Sequence, residues 1–174
     1  MFNKILLPTD GSDHANKAAR IAGDLAGKYD SELVLLHVLL RDHLDEGLKH
    51  YAEVERLAEG RPLSEAVASI PEGRFPVSMV PPNGGETDEQ VLSAVAELVL
   101  RAATDAAKER GASRLRALIE DGDPAQRILQ RAEAEGADLI VMGSRGFSDL
   151  KGLIVGSVSH KVSHLAPCPV MFVR

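Results

Sequence analysis

Short, almost wholly apolar runs separated by helix-length amphipathic stretches dictate what this chain can fold into. Lys4–Pro8, Glu32–Leu39, Asp138–Met142 and Pro169–Val173 read as strands, with a weaker fifth at Arg116–Ile119. The first three are near-continuously apolar. Such strands must be covered on both faces, as in parallel sheets flanked by helices. Ser12 can cap a helix whose apolar stripe is Ala15, Ala18, Ala19, Ala22, Leu25 and Ala26, at spacings of three and four. Thr87 and Gln90 form a capping box ahead of Val91, Leu92, Val95, Leu98, Val99 and Ala102. Asp123-Pro124 repeats that logic, with Pro at the first helical position and Ile128, Leu129 and Ala132 facing inward. A last helix opens near Gly156, shows Val158, Val162 and Leu165, and stops at Ala166-Pro167. Strands alternating with helices predict βαβ units, right-handed crossovers and an α/β fold with a parallel sheet.

At 174 residues the chain suits one domain with a sizeable core. Residues 41–86 break the rhythm and read as an insertion: 42–59 helical and exposed, 62–70 a possible short helix, 71–86 a loop rich in proline and glycine. No stretch approaches the ~20 apolar residues of a membrane span, and the N-terminus lacks the apolar core and cleavage site of a signal peptide. A single cysteine rules out an intrachain disulfide framework and fits a reducing cytoplasm. A net charge of −6, no Trp and 3% aromatics argue against nucleic-acid binding.

The chemistry concentrates just past the Asp138–Met142 run. Gly143-Ser144-Arg145-Gly146 is followed, after nine residues, by Gly156-Ser157-Val158-Ser159. Glycines past a strand end let the backbone approach an anion or adopt φ > 0, and the free N–H groups opening the next helix point at it. Residues 138–174 hold four cationic side chains against two acidic ones in an otherwise acidic chain, which is either chance or an anion site. Asp10 stands at the end of the first strand, where open parallel sheets bind ligands. It is either a ribose-binding carboxylate or a turn residue. The P-loop pattern and the dinucleotide fingerprint are both absent. His160 and His164 share a helix face without a third metal ligand. His37 and Cys168 read as packed residues rather than reactive ones. Ser12, Ser144 and Ser157 read as exposed hydroxyls outside any nucleophile elbow. Gly143→Val is expected to block an anion's approach while leaving the fold intact.

Together these residues resemble the universal stress protein family. Ile5–Ser12 is similar to its opening strand and loop, and Glu32–Val38 to its second strand. Gly122-Asp123-Pro124-Ala125 is similar to the start of its third helix, and Ala166–Val170 to its close. Gly143-x-x-Gly146, nine residues, Gly156-Ser157 matches the signature of its ATP-binding branch. The resemblance covers about 2–40 and 87–174. It implies an open five-stranded sheet of order 3-2-1-4-5, Rossmann-like, with helices on both faces and Asp10 beside Gly143. It further implies that Asp10 binds ribose and that Thr9 and the Val38 backbone meet adenine. Gly143, Arg145, Gly146, Gly156, Ser157, Val158 and Ser159 would then surround the phosphates, with Pro8 and Met142 in the same site. ATP with Mg²⁺ is the implied ligand, the metal held by phosphates and water. The implied assembly is a homodimer through the last strand, about 169–173.

The function expected is that of a cytoplasmic, ATP-binding stress-response regulator. Its nucleotide would order the 143–157 loop, and with it the insertion, for an unidentified protein partner. The rival is a slow Mg²⁺-dependent ATP hydrolase or nucleotidyl-transfer enzyme using the same cleft. A receiver-type domain fits only at Asp10.

Overall fold

The computed structural model describes residues 1–39, 88–146 and 156–174. The expected insertion at 41–86, the cap at Thr87 and the link 147–155 between Gly146 and Gly156 lie outside them. Nine elements follow in chain order: β1 (Lys4–Pro8), α1 (Asp13–Tyr29), β2 (Glu32–Leu39), α2 (Asp88–Lys108), β3 (Arg114–Asp121), α3 (Pro124–Glu135), β4 (Leu139–Gly143), α4 (Ser157–Leu165) and β5 (Val170–Val173). The five strands are all parallel, in the order β3-β2-β1-β4-β5. Both the α/β class and the sheet order match the expectation from the sequence.

The apolar runs are explained by parity. Ile5, Leu7, Leu33, Leu35, Leu139 and Val141 form one core with the alanines of α1 and with Leu100, Ala103 and Ala107 of α2. Leu6, Val34, Leu36, Ile140 and Met142 form the other with Ala125, Ile128 and Ala132 of α3 and Val162 of α4. Alternate residues of each central strand enter opposite cores, so neither parity can be polar.

The helix ends follow the expected chemistry. The Ser12 hydroxyl accepts from the Ala15 N–H, and Asp123 accepts from the Gln126 N–H at 2.8 Å, with Pro124 opening α3. Asp30, at φ 53°, and Gly136, at φ 61°, close α1 and α3 in the left-handed conformation. Three details differ from the sequence reading, one being that Leu165 at the end of α4 is 61% exposed. β3 runs longer than Arg116–Ile119, because pairing with β2 extends it over eight residues. In α2, Ala102 is exposed, whereas Ala96, Val99, Leu100, Ala103 and Ala107 are buried. Among the described residues no helix is long and apolar enough to cross a membrane.

Candidate functional site

β1 and β4 are adjacent central strands, so the segments leaving their carboxyl ends must meet. Thr9 is fixed first. Its N–H donates to the Leu36 carbonyl at 2.9 Å, and its own carbonyl lies 2.9 Å from Nδ1 of His37. A carbonyl only accepts, so His37 carries its proton on Nδ1. Burial pushes the His37 pKa below its ordinary value, partly offset by the bond to Thr9 and by Asp10 nearby. The packed histidine expected from the sequence is thus present, with a ring nitrogen satisfied.

Asp10 follows, half-buried, its Oδ1 accepting from the Ser12 N–H at 3.0 Å. Gly11 takes φ 87°, which an L side chain rarely adopts. The turn thereby places Asp10 at the mouth of the sheet and Ser12 at the start of α1. The Asp10 carboxylate is therefore both a turn residue and a group at the crevice.

The glycine loop closes on this turn from β4. A Cβ at Gly146 would fall on Oδ2 of Asp10, so the two segments abut. The Ser12 hydroxyl also donates to the Arg145 carbonyl, at 3.4 Å. Gly156 returns to the same point, donating its N–H to the Ser144 carbonyl at 2.8 Å. It caps α4 with no side-chain hydrogen bond. The first-turn N–H groups of Ser157, Val158 and Ser159 have no intrahelical acceptor. They form a positive helix end beside Asp10 and Gly146.

Individual residues depart from expectation. Gly143, Gly146 and Gly156 all keep ordinary backbone angles, so what matters is the missing Cβ rather than a left-handed φ. At Gly143 a Cβ would lie 2.9 Å from the Ala15 nitrogen and 3.0 Å from the His14 carbonyl carbon. That glycine lets α1 seat against β4, so Gly143→Val strikes the fold itself. This corrects the expectation that the fold would be left intact. Ser12 and Ser144 are buried, at 7% and 2% exposure, and of these three serines Ser157 alone is exposed. The Ser159 hydroxyl donates to the Gly143 carbonyl at 2.9 Å, joining α4 to β4.

Pro8, Thr9 and Met142 are buried at the strand ends, and Val38 is half-buried near the end of β2. Arg145 is half-buried in the loop. The sequence missed His14 and the burial of Ser144. No local signal marks a pair 130 residues apart, 3.3 Å between Ser144 Oγ and His14 Nδ1. His160 and His164 stack edge to face on exposed α4 positions, and no group of three or more metal-ligating side chains occurs among the described residues. Burial raises the half-buried Cys168 thiol above its ordinary pKa, which keeps it protonated.

Comparison with known proteins agrees with this architecture. The family model for the universal stress protein family matches residues 1–174. Universal stress protein YxiE of Bacillus subtilis is 35% identical over 174 residues, covering 100% of both chains. The solved structure of MJ0577 from Methanocaldococcus jannaschii is similar with a TM-score of 0.68 at 26% identity, covering 99% of this chain and 96% of that one. A universal stress protein solved in complex with cAMP gives 0.62 at 20% identity, covering 99% and 97%, a likeness of fold. The match across the full length and the identity of these relatives place the chain in the universal stress protein family.

Proposed function

We propose that this protein is an ATP-binding regulatory module, with Mg²⁺ accompanying the nucleotide. The observation that carries the reading is the abutment of Gly146 on Asp10 in front of the first turn of α4. An acceptor suited to ribose hydroxyls and a set of donors suited to phosphates thus share one crevice. Gly156 sets no side chain between those donors and a ligand. Asp10 would hold the ribose, and Thr9, Val38, Pro8 and Met142 would border the base. The N–H groups of Ser157, Val158 and Ser159, with the Gly143–Gly146 backbone and Arg145, would hold the phosphates. Ser159 would contribute its N–H alone, its hydroxyl being engaged with Gly143. Proteins of this fold solved with cAMP, AMP and dAMP support an adenine nucleotide as the ligand class. The metal would be held by phosphate oxygens and water.

The test is to release bound nucleotide from purified protein with acid, identify it by mass spectrometry, and titrate ATP with and without Mg²⁺ by calorimetry. Uptake of ATP that Asp10→Ala weakens and Gly156→Val abolishes is the expected result. A folded protein that neither carries nor takes up an adenine nucleotide overturns the reading. Turnover well above that of Asp10→Ala would replace the regulator with an enzyme.

A homodimer through the outer edge of β5 belongs to the same proposal. The strand pairs with β4 on one side, and Met171 on it is 38% exposed. Met171→Lys should shift sedimentation toward the monomer, and an unchanged profile would remove β5 from the interface.

A further inference from the structure

Among the described residues between β4 and α4, Ser144 is held at three points. The Ser144 N–H donates to the Val173 carbonyl of β5 at 2.8 Å, and its carbonyl accepts from the Gly156 N–H at 2.8 Å. Its hydroxyl lies 3.3 Å from Nδ1 of His14, in the first turn of α1. Ser144 is 2% exposed and His14 half-buried, so water competes poorly for this contact. The start of α4 has no capping side chain. Its first residue is held by the Gly156–Ser144 bond, with the Ser159–Gly143 bond securing the helix just beyond, and Ser144 is itself held by its N–H on Val173 and by the partner of its hydroxyl.

We infer that His14 is a positioning residue for the nucleotide: by holding the Ser144 hydroxyl it sets where Gly156 and the phosphate-facing turn of α4 stand. This rests on the nucleotide reading above. His14 acts through Ser144 and needs no contact with the ligand. Ser144 likewise serves through its backbone geometry, which the hydroxyl fixes.

The experiment combines ATP titration with hydrogen exchange at the Gly156 amide in nucleotide-free protein. His14→Ala should weaken ATP binding about fivefold, the worth of one hydrogen bond, and speed Gly156 exchange. His14→Asn, which returns a polar atom near the Nδ1 position, should restore most of both. Ser144→Ala should reproduce the loss, and His14→Ala added to it should cost nothing more. Unchanged affinity and exchange in His14→Ala, full additivity of the two changes, or failure of Asn to rescue would each overturn the inference. A wild type that binds ATP no better than His14→Ala overturns it alone. A wild type that binds no adenine nucleotide overturns the nucleotide reading as well.

Discussion

Gly143 and Gly156 occupy one spacing pattern and do different work. A Cβ at Gly143 would meet backbone of α1 at 2.9 Å, whereas at Gly156, with φ −70°, the nearest neighbour would be 3.5 Å away. Gly143→Ala should therefore cost about 1–3 kcal/mol of stability through overpacking. Gly156→Ala should cost at most about 1 kcal/mol, the loss of glycine's preference for a helix N-cap. Urea denaturation of the two variants measures the contrast, and equal losses would contradict it. The sequence marks these glycines alike because spacing is local. Which one faces a helix and which one faces the crevice depends on α1, some 130 residues away. The same holds for Ser144, which looks like a loop hydroxyl until β5 and α1 close around it.

At the scale of elements, α1 was the most legible part, since its alanine stripe has one consistent helical period. What the stripe does not disclose is how close α2 comes. A Cβ at Gly23 would lie 2.5 Å from the Ala107 oxygen and 2.6 Å from its Cα. Gly23→Ala gains about 1 kcal/mol of helix propensity but must push two helix backbones apart, at about 1–3 kcal/mol. The net expectation is a loss of stability in urea melts, and a gain would mean that the helices can separate freely. The spacing in α2 points Ala102 inward because an alanine-rich helix satisfies the period on more than one face. Only the sheet beneath selects Ala96, Val99, Leu100, Ala103 and Ala107. β3 was faint for a related reason. It is an edge strand whose Arg114, Arg116, Ala117, Ile119 and Asp121 are exposed, so charged residues flank its apolar run and only Ala117-Leu118-Ile119 announces it.

Across the whole molecule the two ends of the sheet are built differently. At the amino ends, Glu32 and Glu135 each pair with Lys4 and Arg116, and Asp138 accepts from the N–H groups of Asn3 and Lys4. The Arg116 hydrogen bond holds the Glu135 carboxyl below its ordinary pKa, and the two backbone donors do the same for Asp138. At the carboxyl ends the buried His37 stands behind Thr9. Its folded pKa lies below the ordinary 6.5, so the unfolded chain takes up the proton first. Its share of stability is complete above about pH 6.5 and is lost as pH falls from there through the folded value. The carboxyls act only in more acid solution. Wild type should thus be less stable at pH 5.5 than at pH 7. His37→Asn, which keeps a donor for the Thr9 carbonyl, should flatten that difference. A slope unchanged in the variant would assign it to other groups.

The sequence by itself determined the order of the described elements, the Ser12 and Asp123 caps and the need for a two-sided parallel sheet, because these follow from residue period and from turn and cap chemistry acting over a few positions. It also placed Asp10 and the glycine segment at strand ends. The tertiary structure alone decided that Gly146 rests on Asp10, that Gly143 serves the seating of α1, and that His14 reaches Ser144. Those contacts join segments more than a hundred residues apart. They exist only because strand order makes β1 and β4 neighbours and turns both of their exits toward one crevice.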